Sequence, residues 1–264
     1  MPTLYDFPRA PSPRRARIVL AEKGIAHETR IVDLAAGEHL SDAYRAINPG
    51  LTVPALVLDD GTVLTDNAGI AAWAEAIRPA PSLLGFTPLE KALVASWNSR
   101  IEGECFMAIA EVLRNTAKGM KDRALPGPHN YAQIPELAER GRARLIHFLD
   151  RFEQHMQGRE WVAIDGFSLA DITAGVALDF AGWVKVDVNE GRPAIAAWRA
   201  RLAERLRKRL PQLPLVQQQL LALWEHPVLL EDHAAVTPRS LNRPAIQRDT
   251  PLGRSEERRV GKEC

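Results

Sequence analysis

The stretch at residues 47–73 constrains the fold more than any other part of the sequence. It reads INPGLTVPALVLDDGTVLTDNAGIAAW and begins with an Asn-Pro-Gly turn. Residues 59–61 (Asp-Asp-Gly) separate two short apolar runs, which is a strong signal for a β-hairpin. Residues 67–77 then form an apolar stretch with helical character. A hairpin that leads directly into a helix predicts mixed α/β structure.

The residues upstream extend this α/β pattern. Residues 3–7 are short, apolar and β-prone, and residues 12–24 contain an apolar helical segment that stops at a glycine. Residues 27–34 alternate in the manner of a half-buried strand, and Ser41 is placed to cap a short helix. The predicted order over residues 1–80 is therefore β-α-β-α-β-β-α.

Beyond the Pro-rich residues 78–82 the pattern changes to helices alone. Residues 87–90 (Thr-Pro-Leu-Glu) combine an N-cap, a proline and an acidic side chain, which predicts the start of a helix that runs past Cys105. Apolar side chains recur at helical spacing in residues 134–157. We expect an all-helical domain over residues 87–204.

The tail at residues 205–264 does not continue this pattern. It is interrupted by prolines, and its apolar runs repeat no helical face for long. Residues 254–264 (RSEERRVGKEC) resemble a translated sequencing adapter, so we interpret the tail as disordered or as the product of a frame error near Glu204. The alternative is a native C-terminal extension.

Charge and cysteine content limit the classes of function. The chain has 34 basic and 33 acidic side chains and a formal net charge of +1, which provides no net field for nucleic acid or an anionic membrane. No apolar run approaches the roughly 20 residues that cross a bilayer, and the N-terminus lacks signal-peptide features, so we expect a cytoplasmic protein. Cys105 and Cys264 lie far apart without metal-ligand spacing, so we expect no metal site.

The element order, the change to helices and the run at residues 47–73 together resemble the cytosolic glutathione S-transferase family over about residues 3–204. The resemblance implies a thioredoxin-like N-terminal domain that binds glutathione, followed by the family's all-helical C-terminal domain. It further implies a homodimer that stabilises the thiolate of glutathione for attack on a hydrophobic electrophile. It implies no metal.

The resemblance also implies which residues contact glutathione. Val53, before a cis-Pro54, would bond the cysteinyl backbone; Asp66 and Asn67 would take the ammonium and the carboxylate of the γ-glutamyl end; His39 would reach the glycyl end. Each assignment has a simpler alternative: Pro54 only shapes a turn, Asn67 only caps a helix, and His39 is only a solvated loop residue.

The catalytic position departs from the family pattern. Aligned without gaps, the usual serine position falls on Ala10, which has no donor in its side chain. With slack in the loop, the candidate becomes Ser12, although Ser12 followed by Pro13 is also a good N-cap with proline at the first helical position. Tyr5 is nearby but resembles a packing position.

If no hydroxyl donates, backbone N–H groups at the start of the first helix, with Arg9 or Arg14 nearby, would stabilise the thiolate. A rival interpretation from another class is a binding or scaffold protein of the same fold in which Ala10 marks a lost catalyst. A glutathione-dependent reductase or peroxidase is less favoured, because it usually needs a cysteine in the first loop.

Several other residues have structural interpretations. Ser168 and Asp171 form a capping box ahead of a buried helix, and Cys105 has the apolar neighbours of a core thiol. One face of the helix after residue 87 borders either the acceptor pocket or a packed interface, and its members are Trp97, Arg100, Glu104 and Met107.

Overall fold

The computed structural model of the chain describes residues 1–209. The first residues of the predicted tail, 205–209, belong to the last helix. The remainder of that tail, including its adapter-like end, lies outside the described residues.

The N-terminal part is a four-stranded mixed sheet with three helices. Its elements are β1 (Thr3–Asp6), α1 (Pro11–Glu22), β2 (Glu28–Ile31), α2 (Asp42–Arg45), β3 (Ala55–Val57), β4 (Val63–Leu64) and α3 (Asn67–Ile77). The strand order is β2-β1-β3-β4, with β1 parallel to β2 and the pairs β1–β3 and β3–β4 antiparallel. The predicted βαβ unit and hairpin are both present.

The second part is helical, as its sequence predicted. It contains α4 (Pro88–Arg100), α5 (Met107–Thr116), α6 (Pro135–Met156), α7 (Leu169–Ala181) and α8 (Pro193–Arg209). Between α4 and α5 the helix widens into a π-helical segment, Ile101–Phe106. The predicted fold class, a thioredoxin-like α/β domain followed by an all-helical domain, is confirmed. The domain bounds at residues 80 and 87 stay predictions.

Local capping signals account for several helix starts. At α4, Thr87 Oγ1 accepts from Glu90 N (3.1 Å) and Glu90 Oε2 accepts from Thr87 N (2.9 Å), which is the predicted capping box. At α2, Ser41 Oγ accepts from Tyr44 N (3.2 Å), so Ser41 is the predicted N-cap. These contacts satisfy N–H groups that have no partner inside the helix.

Ion pairs and hydrogen bonds join the two parts. Asp179 on α7 accepts from Arg14 on α1 (3.0 Å) and from Arg199 on α8 (2.6 Å). Lys23 at the end of α1 is buried, and its Nζ donates to the carbonyl of Arg78 (2.9 Å) in the connection between the parts. Helix α1 is therefore fixed to α7, α8 and the linker at once.

The start of α7 is organised by one buried carboxylate, that of Asp171. Its Oδ1 accepts from Val162 N (2.9 Å) and Trp198 Nε1 (3.1 Å), and its Oδ2 accepts from the backbone N and the Oγ of Ser168 (3.0 Å each). Burial raises the pKa of Asp171, and the four hydrogen bonds oppose that rise. The predicted capping box is present, and the carboxylate also ties α8 and residue 162 to the same point.

None of the helices in residues 1–209 is long and apolar enough to cross a membrane.

We predict that Asp171→Asn destabilises the fold by about 2–4 kcal/mol. An amide has one accepting atom where the carboxylate has two, so buried donors at one side of the group lose their acceptor. The free energy of unfolding, from urea titration followed by circular dichroism, measures the loss. Asp165→Asn, an exposed change on the same connection, is the control and should stay within about 0.5 kcal/mol. Equal stability of the two variants would contradict the role of Asp171.

Candidate functional site

The first component of the site is a free backbone segment before β3. The Val53-Pro54 peptide is cis, as the family resemblance implied. The preceding carbonyl, that of Thr52, accepts from Tyr44 Oη (2.7 Å) and Asn48 Nδ2 (2.8 Å), which fixes the turn. Within residues 1–209 no hydrogen bond engages the N–H or the C=O of Val53. A short stretch of main chain is therefore available to pair with an extended ligand.

The second component is the start of α3. Asp66 is the N-cap, and its Oδ1 accepts from Gly69 N (2.7 Å). The suggestion that Asn67 caps this helix is therefore wrong: Asn67 is its first residue, and the side chain of the residue before it does the capping. The N–H groups of Asn67 and Ala68 have no acceptor within the helix, because an α-helix leaves its first donors unpaired. An exposed carboxylate thus lies beside the positive end of a helix dipole.

Two side chains in the described part of the chain stand apart from the other buried polar groups. Asn67 Oδ1 and His39 Nδ1 are buried without a hydrogen-bond partner. The remaining unpartnered buried atoms belong to side chains that form ion pairs, and these side chains are Asp6, Arg14, Arg15, Arg17, Glu111 and Arg205. Both exceptions are residues that the resemblance assigned to ligand binding.

The third component is the start of α1, where the structure corrects one sequence interpretation. Ala10 is the N-cap and Pro11 the first helical residue, so the suggestion that Ser12 caps the helix is wrong. Pro11 and Pro13 have no N–H, so Ser12 supplies the N–H that the first turn leaves free. Ser12 Oγ accepts from Arg15 Nη2 (3.2 Å), which leaves the hydroxyl proton available for donation.

Arg15 connects this helix start to the helical domain. Its guanidinium forms an ion pair with Glu102 and lies 4.6 Å from the ring centroid of Phe106. Both partners belong to the π-helical segment. Burial lowers the pKa of Arg15, Glu102 opposes that change, and an arginine stays charged in either case. A fixed positive charge therefore lies next to the hydroxyl of Ser12.

The Arg15–Glu102 pair could not be found from the sequence. The two residues are 87 positions apart, and neither belongs to a motif with fixed spacing. The sequence analysis instead proposed Arg9 or Arg14 as the cation near the helix start. Arg14 pairs with Asp179 between α1 and α7, so that guanidinium takes part in joining the domains.

His39 lies in a 3-10 turn, Glu38–Leu40, and is half-buried. The side chain is therefore only partly solvated, and its role stays a prediction. Burial lowers its pKa first, and the positive charges of Arg123 and Arg114 lower it further. The neutral imidazole is favoured, and its environment on the side of the helical domain is cationic.

The remaining candidates serve the core or stay predictions. Tyr5 packs edge-on against Tyr44, with ring centroids 5.9 Å apart, which agrees with a packing position. Cys105 is fully buried, and burial raises the pKa of its thiol, as expected for a core residue. On the helix face suggested for acceptor binding, the tilted rings of Trp97 and His155 have centroids 3.9 Å apart, whereas Met107 is exposed. An acceptor role for that face stays a prediction.

Among residues 1–209, no group of three or more His, Cys, Asp or Glu side chains could hold a metal ion.

Comparison with known proteins adds an independent line of evidence. Residues 10–77 match the N-terminal domain of glutathione S-transferases, and residues 116–205 match the C-terminal domain. Glutathione S-transferase 2 of Saccharomyces cerevisiae is 36% identical over 205 residues, which are 76% of this chain and 85% of the yeast protein. The N-terminal match includes the starts of α1 and α3 and the free backbone at Val53.

Two solved structures extend the comparison to three dimensions. The crystal structure of Gtt2 from Saccharomyces cerevisiae aligns with a TM-score of 0.70 at 33% identity and covers 83% of this chain and 100% of that one. A glutathione S-transferase from Methylobacillus flagellatus, solved with glutathione bound, aligns with a TM-score of 0.64 at 25% identity. That alignment covers 76% of this chain and 94% of that one.

Proposed function

This chain belongs to the glutathione S-transferase family, and we propose that it is a glutathione transferase that stabilises the glutathione thiolate for attack on an electrophilic small molecule. The observation that carries the proposal is the start of α3, where an acidic side chain and free helix N–H groups lie together. The γ-glutamyl end of glutathione carries an ammonium and a carboxylate on one carbon. This pair of opposite charges matches the pair of opposite charges at the helix start.

In the proposed complex, each group at the α3 start has a separate task. Asp66 accepts from the ammonium through the oxygen that does not cap the helix. The N–H groups of Asn67 and Ala68 donate to the carboxylate, which is favoured at the positive end of the helix. The amide of Asn67, which has no protein partner for its buried oxygen, completes the contact.

The backbone of Val53 takes the middle of the tripeptide. Its unused N–H and C=O pair with the cysteinyl residue in the manner of an added strand, and Pro54 closes the turn behind it. His39 takes the glycyl end. Main-chain pairing of this kind binds a peptide whatever its side chains are. Recognition of the γ-glutamyl group therefore depends on the start of α3.

Ser12 is the proposed donor to the sulfur. A free thiol titrates near pH 8.5, so a thiolate at neutral pH needs stabilisation of the anion. The Ser12 hydroxyl and N–H donate to the sulfur at the positive end of α1, and Arg15 adds a positive charge behind the hydroxyl. The sulfur then forms a bond to the electrophilic carbon, and the leaving group departs with the bonding electrons.

The family resemblance extends the proposal to a cytoplasmic homodimer that conjugates hydrophobic electrophiles in detoxification. One apolar surface supports the dimer. Phe86 is 73% exposed and Leu89 69% exposed, and Leu93 follows one helical turn later on α4. A cluster of exposed apolar side chains of this kind is typical of a subunit interface.

A binding or scaffold role without transferase activity is the second candidate. Ala10 favours it, because the residue at the usual serine position has no side-chain donor and caps the helix by backbone alone. The experiments below separate the two candidates.

We predict that Asn67→Ala weakens glutathione binding about tenfold, because one charge-assisted hydrogen bond to the carboxylate is lost. The dissociation constant from isothermal titration calorimetry measures the effect. Asn189→Ala, in the exposed connection between α7 and α8, is the control and should leave binding unchanged. Full retention of affinity in Asn67→Ala would refute the carboxylate assignment.

We predict that Ser12→Ala lowers kcat/KM for conjugation of chlorodinitrobenzene about a hundredfold, as expected for the loss of a donor to a developing anion. The pKa of bound glutathione, from thiolate absorbance, should rise in parallel. Ser12→Thr keeps both the hydroxyl and the N–H, so it should retain most of the activity.

The other outcomes are equally informative. Unchanged activity in Ser12→Ala would assign stabilisation to the N–H of residue 12, which the alanine keeps. Wild-type protein that binds glutathione but conjugates nothing would favour the scaffold candidate.

We predict that the double change Phe86→Ser with Leu89→Ser halves the molar mass measured by sedimentation equilibrium, because it removes apolar area from the proposed interface. Leu125→Ser is the control, since Leu125 is also exposed (47%) but lies in the connection between α5 and α6. A wild-type monomer, or a double variant that stays dimeric, would show that this surface is not the interface.

A further inference from the structure

The connection between α5 and α6, residues 117–134, extends from the helical domain towards the glutathione-binding domain. It is anchored at its base, where Gln133 Nε2 donates to the carbonyls of Arg114 (2.8 Å) and Ala117 (2.9 Å). At its far end, a Cβ placed on Gly127 would lie 3.8 Å from the carbonyl oxygen of Gly50. Gly50 belongs to the Asn-Pro-Gly turn just before Val53. An ordered connection of this length beside a binding segment is typical of a functional loop.

Two arginines of this region lie together and have no acidic partner in the described part of the chain. Arg114 Nη1 donates to the carbonyl of Arg123 (2.7 Å), and Arg123 Nη1 donates to Asn130 Oδ1 (3.4 Å). Both side chains are half-buried. The two guanidinium groups therefore meet neutral oxygen atoms but no carboxylate within residues 1–209.

His39 approaches the same cluster from the N-terminal domain. Its Nδ1 is buried without a partner, and both arginines are close enough to lower its pKa. Burial lowers the pKa of Arg114, and the charge of Arg123 lowers it further, as expected for two like charges near each other in a partly buried region. An arginine does not lose its proton, so this unfavourable arrangement is relieved by an anion.

We propose that Arg114, Arg123 and His39 form a carboxylate-binding site shared between the two domains. The inference rests on the proposed function, because it places the site beside the glutathione backbone segment. The planar guanidinium group can donate two parallel hydrogen bonds to a carboxylate. A pair of arginines therefore fixes the orientation of a carboxylate as well as balancing its charge.

Two sources supply such a carboxylate: the glycyl end of glutathione and an acidic electrophile. In the first case the helical domain helps to hold the co-substrate. In the second case it selects electrophiles that carry a negative charge.

Matched ligands and variants test the site. Arg123→Gln and Arg114→Gln each remove one charge, and Lys121→Gln removes an exposed charge from the same loop as the control. Calorimetry compares glutathione with its glycyl ethyl ester, which lacks that carboxylate. Steady-state kinetics compares chlorodinitrobenzoate with its methyl ester. Arg123 makes a single long side-chain contact, so its variant should fold even if Arg114→Gln disturbs the loop.

We expect both arginine variants to weaken one carboxylate ligand about tenfold to a hundredfold and to leave the matching ester within about twofold. A loss confined to glutathione identifies the glycyl carboxylate, and a rise in KM confined to the benzoate identifies the electrophile. An equal loss on acid and ester, no loss on either, or the same loss in Lys121→Gln would overturn the site.

The proposed function can fail separately. If wild-type protein does not bind glutathione, equilibrium dialysis of chlorodinitrobenzoate against its ester decides on the site alone. A preference for the acid that Arg123→Gln removes would support it, and no preference would overturn it.

Discussion

The position of α1 against the helical domain depends on the buried carboxylate of Asp171. Its four accepted hydrogen bonds fix the start of α7 to α8 and to residue 162. Helix α7 in turn holds α1 through Asp179 and Arg14. Because Ser12 lies in the first turn of α1, its position relative to the helical domain follows from a network that begins at Asp171. A distortion at Asp171 is therefore expected to reach the first turn of α1, since packed interiors have low compressibility and transmit strain.

The polar groups of the molecule divide into two kinds. Most buried charges have a fixed partner, as Arg17 has in Asp6 and Lys23 in Glu75, and these pairs specify how the elements meet. Asn67 and His39 have no partner among residues 1–209. A buried polar group without a hydrogen bond costs free energy, so a ligand that satisfies such a group is favoured.

Local signals in the sequence were sufficient to predict the fold class. The site was harder to predict, because part of it depends on contacts between residues far apart in the sequence. The Asp-Asp-Gly hairpin and the Thr87 capping box involve residues three to eight positions apart, so their geometry is contained in the local pattern. The α1 start was harder, because both Ser12-Pro13 and Ala10-Pro11 fit a helix start with proline. The guanidinium of Arg15, next to Ser12, is held by Glu102. No local sequence pattern predicts this contact between α1 and a π-helical segment 87 positions further along the chain.

The prolines of α1 also narrow the chemistry that this helix start can perform. A helix usually offers several free N–H groups in its first turn, and an anion placed there is shared among them. Here Pro11 and Pro13 remove two of those donors, so the hydroxyl and the N–H of one residue, Ser12, are left for the proposed contact with the thiolate. Ala10, which the family resemblance aligns with the usual serine, is therefore compatible with a proposed donor two residues later, where Arg15 Nη2 donates to the oxygen of Ser12 and leaves the hydroxyl proton free. In the proposed mechanism the helical domain contributes to thiolate stabilisation through that arginine, since Glu102 pairs with its guanidinium.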